Sequence, residues 1–298
     1  MDKSFKKNID IYNDVTLLIV CYNSEILIKK NLKELKKFKT ILIDNSNSKQ
    51  TFNLIKDFPN INYIKTTKNL GYGQANNLGA KKASTPFIMI LNPDILINSD
   101  AIKILFEKYL KYENAGILAP SLYDNNNKRR TNGSNSKLKK THSNDNKYNI
   151  AQGDTCYDFV VGCSLFMNKD FFQNIGGFDN DFFMYFEDNE LCDRIYANKK
   201  CVIEIPDSKM VHMQGLSSKH SFFSNVKLSI IHKISEYIYY KKNLTLLILY
   251  IIKMKQFFDN FQRCFKNLLI FRFKKSFKNM LRLVSIFMYI TKLYKIIY

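Results

Sequence analysis

Tryptophan is absent from the 298-residue sequence, and proline and glycine are scarce, with five and ten residues. So little proline and glycine excludes collagen-like chains, and 46% hydrophobic residues exclude wholesale disorder. Long apolar runs are also missing, because the longest candidate, residues 244–252, has about half of the ~20 residues that a membrane-spanning helix needs. The N-terminal sequence lacks the apolar stretch of a secretory signal, so we expect a cytoplasmic protein.

Cysteine pairs with metal-binding spacing are missing as well. The six cysteines form no CxxC motif and have no histidine pair at zinc-finger spacing beside them. This argues against a zinc site and against a redox dithiol. In a cytoplasmic protein, reduced and mostly buried thiols are expected.

Acidic residues are scarce in one part of the chain only. The formal net charge is +20, and residues 219–298 hold 16 Lys and Arg but only two acids, Glu236 and Asp259. The sequence therefore predicts a nearly neutral domain over residues 1–218 and a basic region over residues 219–298. In that region Lys and Arg alternate with aromatic and aliphatic residues at helical spacing. This pattern favours amphipathic helices on an anionic membrane surface, with ordinary solvated helices as the alternative.

Short β-branched runs alternate with amphipathic segments over the first 120 residues. Strands are predicted at residues 15–20, 40–43, 61–65, 87–91 and 115–119, with helices between them. This alternation predicts an α/β fold with a mostly parallel, doubly wound sheet, whose ligands bind at the carboxyl ends of the strands. Residues 124–149 are polar and are predicted to form a mobile loop that acts as a lid or binding loop.

Beyond this loop, regular structure is predicted to resume. A strand is expected at 158–167, a turn at Gly176 and Gly177, and a helix at 187–197. Two further strands are expected at 201–205 and 209–212.

Polar side chains follow the predicted strands at the points where they end. An aspartate there, such as Asp44, can accept the imide N–H of a pyrimidine base. Gly71 and Gly73 allow the backbone to approach a bulky ligand and let a helix N-terminus face a phosphate. Asp94 follows a buried strand and is well placed to hold a hard divalent cation through oxygen.

A resemblance to a known family is carried by six segments: VTLLIVCYNS, LIDNSNS, NLGYGQANNLG, ILNPDI, IGGFDNDFFMYFEDNELCDR and VHMQG. In this order they resemble the family-two inverting glycosyltransferases of the GT-A fold, and within them the rhamnosyltransferase-like group of bacterial surface polysaccharide synthesis. The match covers about residues 15–218. It implies transfer of rhamnose or a related hexose from a dTDP- or UDP-activated donor to a growing glycan, with Mg²⁺ or Mn²⁺ as cofactor.

The resemblance also implies roles for single residues around the donor. The donor-binding set is Tyr22, Asn23, Asp44, Asn69, Gly71, Gln74, Asn77 and Asn92. Asp94 is implied as a metal ligand, and His212 as a second residue that completes the metal site. Asn92 stands where many members have Asp, so it offers an amide oxygen or an outer hydrogen bond instead of a carboxylate.

On the acceptor side, the resemblance implies that Asp188 is the general base, with Glu187 as the rival for that role. Inverting transfer is a direct displacement, which needs a base for the incoming hydroxyl and neutralisation of the departing diphosphate. Phe183 and Tyr185 belong to an aromatic run that forms either an acceptor-binding wall or part of the core. Glu190 and Arg194 are expected to form a supporting ion pair.

The expected partners are a nucleotide-sugar donor, a glycan or lipid-linked glycan acceptor, and the inner face of the plasma membrane. Two alternatives stay open. One is a catalytically weakened GT-A relative that binds sugar nucleotides as a scaffold, which Asn92 suggests. The other is a basic nucleic-acid-binding protein, although no recognition motif for DNA or RNA is visible.

Overall fold

The computed structural model describes residues 10–135, 150–213 and 222–293. The chain divides into two compact units, one of residues 1–179 with 188–219 and the other of residues 180–187 with 220–298. The sequence places a boundary at 218/219 but did not predict that 180–187 packs with the C-terminal helices.

The first unit alternates strands and helices. Its strands are β1 Val15–Cys21, β2 Lys39–Asp44, β3 Ile61–Lys65, β4 Phe87–Leu91, β5 Ile95–Leu96, β6 Ala115–Tyr123, β7 Arg129–Arg130, β8 Gly133–Ser134, β9 Thr155–Cys156, β10 Phe159–Val160, β11 Ser164–Asn168 and β12 Cys201–His212. Its helices are α1 Ile11–Asp14, α2 Glu25–Leu35, α3 Gln50–Ile55, α4 Gly71–Lys82, α5 Ser99–Lys111, α6 Lys169–Asn174 and α7 Glu187–Ala197, whose first residue belongs to the second unit.

These strands form a mixed sheet in the order β3-β2-β1-β4-β11-β6-β12-β5. The β1–β4 strands, β6 and β12 run parallel, whereas β11 and β5 run antiparallel to their neighbours. At the margins β7 pairs with β6 and β9 with β12, and β8 with β10 forms a separate two-stranded sheet. The predicted α/β class, with its mostly parallel sheet and C-terminal helices, is confirmed.

Continuous apolar runs place the central strands in the core. Every residue of β4, FIMIL, is buried, as are the first five residues of β1. Strands covered on both faces read as unbroken apolar runs, because no position faces water. At the edge of the sheet, Asn98 caps α5 and accepts hydrogen bonds from the N–H groups of Asp100 and Ala101 at 3.0 and 3.4 Å.

The strand registers bring the carboxyl ends of four strands to one edge. Cys21 lies beside Asp44, Asp44 lies beside Lys65, and Ile19 pairs with Leu91. The antiparallel β11 begins at the same edge, since Ser164 pairs with Leu91. The residues that follow β1, β2 and β4 and the residues that precede β11 therefore share one edge of the sheet.

Four predicted segments are organised differently in the structure. Strand 158–167 is divided into β10 and β11 by a turn that contains Gly162, and the strands 201–205 and 209–212 are joined into β12 with an irregularity after Ile205. The prediction that residues 124–149 form a mobile loop is wrong for residues 129–134, which hold β7 and β8. Arg129 anchors β7 through Glu204 of β12, with Nη2 and Oε1 2.8 Å apart. Residues 136–149 of that loop lie outside the described residues.

The second unit consists of α8 Phe222–Asn243, α9 Leu246–Leu269 and α10 Phe273–Ile290. Helix α10 packs on both α9 and α8. Phe182 enters a small core with Ile230 and Ile234, and the hydroxyl of Ser235 donates to the carbonyl of Met184 at 2.8 Å. Among the helices described, none has the length and hydropathy needed to cross a bilayer.

Candidate active site at the sheet edge

Asp44, at the end of β2, is fully buried and surrounded by donors. Its Oδ1 accepts the backbone N–H of Ser46 at 2.8 Å and the hydroxyl of Ser46 at 2.7 Å. Its Oδ2 accepts the hydroxyl of Tyr63 at 2.8 Å and lies 3.7 Å from Nζ of Lys65. Burial and this carboxylate together raise the pKa of Tyr63. Because Asp44 is fully buried, a nucleotide base can donate its N–H to this carboxylate only if Tyr63 or Ser46 moves.

Two turns next to Asp44 form the start of α4. The side chain of Asn69 accepts the N–H of Gly71 at 2.9 Å, and Gly71 has a φ of +78°, which favours glycine. Asn45, which follows Asp44, donates to the carbonyl of Gly71 at 3.0 Å and so ties this turn to β2. Asn69 and Gly71 thus lie beside Asp44, as the sequence predicted from strand order.

Asn77 has a structural contact that the sequence did not predict. Its Nδ2 donates to the carbonyl of Phe178 at 2.7 Å, and its Oδ1 accepts the N–H of Phe178 at 2.8 Å. Gly177 precedes Phe178 with a φ of +65°, and a Cβ there would lie 2.4 Å from Oδ1 of Asn77. Asn77 therefore secures the predicted Gly176-Gly177 turn, so its amide is directed at this turn.

Tyr22 and Asn23 follow β1 at the same edge. Tyr22 is 53% exposed, and Asn23 is exposed with a φ of +51°. Asn tolerates this left-handed backbone better than most residues. Gln74, in the second turn of α4, is half-buried. Of the predicted donor-binding set, Tyr22 and Asn23 offer the most accessible surface.

Asp94 and His212 meet, as the sequence predicted for a metal site. Residues 92–95 form a tight turn in which the N–H of Ile95 donates to the carbonyl of Asn92 at 3.1 Å. Ile95 then pairs with His212 in the sheet. As a result, Oδ2 of Asp94 lies 3.3 Å from Nε2 of His212.

The donor set at Asp94 fits a divalent cation. Oδ1 of Asp94 is buried and has no hydrogen-bond partner among the described residues, which is unusual for a carboxylate oxygen. No cluster of three or more His, Cys, Asp or Glu side chains occurs in the described part of the chain. Mg²⁺ is commonly held by one or two carboxylates together with substrate phosphates and water. Asp94 matches that pattern with its carboxylate, His212 adds an imidazole nitrogen beside it, and the remaining ligands are left to the donor.

Asp188 lies in the first turn of α7 and is held by backbone groups. Its Oδ2 accepts the N–H of Gly162 at 2.9 Å, and its Oδ1 accepts the N–H of Asn189 at 3.0 Å. Asp188 is half-buried, and burial raises its pKa against the opposing effect of these two hydrogen bonds. A carboxylate with a raised pKa is a stronger base at neutral pH.

Gly162 and Cys163 contact residues from three of the family-like segments. The sequence alone gives the order of those segments but does not show that they meet. The carbonyl of Cys163 accepts the N–H of Asn92 at 2.8 Å, while Gly162 binds Asp188 through its N–H and the hydroxyl of Tyr72 through its carbonyl. Burial raises the pKa of the Cys163 thiol, and the nearby carboxylates of Asp94 and Asp188 raise it further. The proposed metal ligand and the proposed base therefore lie on either side of one dipeptide.

Sequence reasoning missed Gly162, Cys163 and Tyr72. The available signal was the glycine inside the apolar run DFVVGCSLFM, because glycine in a strand marks a bulge or a close approach. A Cβ on Gly162 would lie 2.9 Å from Cβ of Asp188. The close approach is thus between this backbone and the proposed base.

The ion pair predicted on α7 is confirmed. Arg194 donates to both carboxylate oxygens of Glu190 at 2.7 and 2.6 Å, in a bidentate pair. Its Nη2 also donates to the carbonyl of Gly177 at 2.6 Å. Arg194 therefore links α7 to the Gly176-Gly177 turn.

The remaining acceptor-side candidates belong to the second unit. Phe183 is 7% exposed, and a buried ring presents no face to a sugar in this conformation. Tyr185 is half-buried, and its ring centroid lies 5.1 Å from that of His232 on α8. Glu187, the rival base, is 5% exposed, so it is less accessible to an acceptor than Asp188.

Comparison with known proteins identifies relatives along most of this unit. The family described as Glycosyl transferase family 2 matches residues 16–175, and the N-terminal domain of galactosyltransferase matches residues 147–219. Rhamnosyltransferase WbbL of Escherichia coli (strain K12) is 25% identical over 232 residues, which cover 70% of this chain and 87% of WbbL. The dTDP-rhamnosyl transferase RfbF of Shigella flexneri is 27% identical over 214 residues, 68% of this chain and 70% of RfbF.

Solved structures show the same fold at low sequence identity. The mannosyltransferase PcManGT from Pyrobaculum calidifontis, in complex with GDP-Man and Mn²⁺, superposes with a TM-score of 0.54 at 14% identity. The match covers 77% of this chain and 64% of that protein. GalNAc-T7, solved with UDP, GalNAc and Mn²⁺, has a TM-score of 0.54 at 15% identity over 76% of this chain and 48% of its own.

Proposed function

Because the chain belongs to glycosyl transferase family 2 and is therefore a glycosyltransferase, we propose that it transfers a sugar from a nucleotide-diphosphate donor to a growing glycan with inversion. The proposed sugar is rhamnose or a related hexose, and the proposed donor is a dTDP- or UDP-sugar. Support for rhamnose comes from two relatives that are named as rhamnosyltransferases, one of them for a dTDP donor.

The observation that carries the proposal is the dipeptide Gly162-Cys163. It receives the N–H of Asn92 on one side and provides the N–H that holds Asp188 on the other. A base and a site for a departing diphosphate must lie close to one sugar for direct displacement to occur. The proposal is supported by this backbone link, which holds Asn92 and Asp188 at one edge of the sheet.

In the proposed reaction, Asp188 accepts the proton of the acceptor hydroxyl as that oxygen bonds to the anomeric carbon. The bond between the anomeric carbon and the diphosphate oxygen breaks at the same time, and the nucleoside diphosphate leaves with the electron pair. The raised pKa of Asp188 suits this role, since a base is most effective when its pKa approaches the working pH. Backbone donors from Gly162 and Asn189 keep its carboxylate oriented.

Asp94 and His212 are the residues that hold a divalent cation in this proposal. Mg²⁺ or Mn²⁺, when bound there, supplies positive charge that offsets the charge of the departing diphosphate. Asn92 adds a neutral amide beside this pair. On the donor side, Tyr22, Asn23 and the turn of Asn69 and Gly71 surround the nucleotide, with Asp44 beneath them.

The test is release of nucleoside diphosphate from dTDP-rhamnose and from UDP-sugars, with a lipid-linked glycan as acceptor. We expect Asp188→Asn to abolish release, because the amide cannot take the proton. Asp170→Asn is the matched control, since Asp170 lies on the exposed side of α6 with 70% of its side chain accessible. Equal turnover by the Asp188 variant and the wild type would remove the catalytic assignment.

Three further measurements test parts of the proposal separately. The anomeric configuration of the product, read by NMR, tests inversion. Donor binding by calorimetry without any release would favour the scaffold alternative, in which Asn92 has weakened the metal site. Glu187→Gln tests the rival base and is expected to leave most of the release intact, because Glu187 is nearly inaccessible.

A further inference from the structure

The helical unit exposes a long row of apolar side chains. On α9 they recur at alternating steps of four and three residues, which places them on one face of the helix. This apolar stripe consists of Leu247, Ile251, Met254, Phe258, Phe261, Phe265 and Leu268. Each of them is between 37% and 70% exposed. Phe273, Met280, Val284 and Phe287 continue the pattern on α10.

Several polar residues lie in the interior of the same helix pair, beside the buried Leu249 and Ile286. Ser276, Asn279 and Ser285 of α10 and Asn260 of α9 are all at most 8% exposed. Polar contacts join the two helices: the hydroxyl of Ser276 donates to the carbonyl of Cys264 at 2.9 Å, and Nη1 of Arg282 lies 3.4 Å from Oδ1 of Asn260. With these polar groups inside the pair, many of its large apolar side chains lie on the outer face.

Basic side chains border the apolar stripe. Residues 246–290 contain nine Lys and Arg and a single acid, Asp259. Lys255 and Lys266 are exposed and eleven residues apart, so they lie on the same side of α9. Lys274, Lys275 and Lys278 are exposed in the first turns of α10.

We propose that α9 and α10 form a hairpin that lies in the surface of an anionic bilayer, with the apolar stripe in the acyl region and the bordering lysines among the phosphates. Helices of this kind bind by apolar burial together with attraction to anionic lipid. Charge argues for lipid over a second copy, because two hairpins facing each other would oppose like charges across the contact. Nucleic acid would engage the lysines but leave the apolar stripe in water.

The natural absence of tryptophan makes a direct test available. Phe261→Trp in the full chain places a single indole within the apolar stripe, and Ile26→Trp places one on the first unit, at a site that is 76% exposed. With vesicles that contain phosphatidylglycerol, we expect a blue shift of emission and quenching by brominated acyl chains for the first variant only. Equal responses from both variants, or none from either, would overturn the proposal.

Sedimentation with the same vesicles measures how much binding the apolar stripe provides. Replacing Phe258, Phe261 and Phe265 by Ser is expected to lower partition about 100-fold, because burial of these rings is lost. The matched control replaces Ile26, Phe52 and Leu110, three exposed apolar residues of the first unit, and should bind as the wild type. Circular dichroism confirms that each variant keeps its helices.

Two companion measurements distinguish a lipid surface from a second copy of the chain or nucleic acid as the partner of the hairpin. Lys255→Gln with Lys266→Gln should weaken binding to anionic vesicles at low salt and leave binding to neutral vesicles unchanged. Light scattering without lipid tests for a dimer that forms through the apolar stripe and that the triple Ser variant would disperse. We expect to see no such dimer. A dimer of that kind, or preferential binding to duplex DNA over vesicles, would contradict the lipid assignment. None of these readouts depends on sugar transfer, so failure here leaves the proposed function untouched.

Discussion

The sheet of the first unit and the α9–α10 hairpin of the second place their apolar residues differently. In the first unit Leu17, Leu18 and Ile90 are fully buried, and the sheet edge carries the polar residues. In α9 and α10, Ser285 is fully buried while Phe261 is 56% exposed. The first arrangement is that of a protein core in water, and the second leaves an exposed apolar face of the kind that marks an interaction site.

Where the apolar residues lie therefore says more about each unit than how many of them the chain contains. The chain is 46% hydrophobic, an ordinary value for a globular protein, and that average does not distinguish a buried sheet from an exposed helix face. Sugar transfer by the first unit and vesicle binding by the second can therefore be tested with separate variants.

The largest expected effect is loss of sugar transfer in Asp188→Asn, by about 10²- to 10⁴-fold in kcat, the usual contribution of a general base. Vesicle binding should not change, because Asp188 belongs to the first unit. The raised pKa also predicts a pH profile: transfer by the wild type falls as pH drops through the raised pKa and the base becomes protonated.

The same shift predicts the sign of the stability change. A carboxyl whose pKa is raised on folding favours the native state at pH values below its unfolded pKa, and this contribution is lost as pH rises through the folded pKa. An uncharged Asn relieves the cost of the buried charge but accepts only one of the two backbone N–H groups, so near pH 7 we expect Tm to change little. A variant that loses transfer because its Tm drops sharply would contradict the assignment of Asp188 as base.

The second-largest difference is expected in unfolding free energy, when one apolar side chain of each unit is truncated. Leu18→Ala removes a fully buried side chain from β1 and should cost about 2–5 kcal/mol of unfolding free energy. Phe261→Ala removes a larger but exposed ring and should change stability in water by less than about 0.5 kcal/mol. Thermal unfolding without lipid measures both, and a large loss for Phe261→Ala would mean that its ring is covered in water.

Much of the fold was predictable because local pattern and tertiary burial agree in the first unit. The strands at 61–65 and 87–91 have the predicted bounds. Asp94 and His212, which the family resemblance implied as neighbours, have Oδ2 and Nε2 3.3 Å apart. The division of 158–167 was signalled only by Gly162 inside the apolar run, whereas its contacts with Asp188 and Tyr72, which are distant in sequence, were not predictable.

In the second unit, pattern predicts helices but not which side of each helix is the interior. The spacing of Phe258, Phe261 and Phe265 is the same whether the rings face a core or a bilayer. The aromatic run also gave no local signal that Phe182 would pack with Ile230 and Ile234 of α8. Such contacts are decided by the helices that surround a residue, and sequence spacing does not encode them.

A smaller effect is expected from Gly162→Ala, which tests whether the backbone link orients the base. The new methyl group would lie 2.9 Å from Cβ of Asp188 and must displace it, so kcat should fall roughly 10- to 100-fold. Gly153→Ala is the control, because a Cβ there meets nothing within 4 Å. Vesicle binding should be the same for both, and equal kcat values would show that Asp188 does not depend on this contact.

The smallest effect compares one buried hydroxyl from each unit. Ser208 of β12 donates to the carbonyl of Ala101 on α5 at 3.0 Å, so Ser208→Ala should cost about 1 kcal/mol. Ser285 is as deeply buried, yet it donates at 2.8 Å to Leu281 one turn earlier in its own helix, so Ser285→Ala should cost less. Thermal unfolding decides between them. An equal cost for both would mean that the polar interior of the hairpin already stabilises it in water, and the contrast between the two units would then rest on the outer apolar face alone.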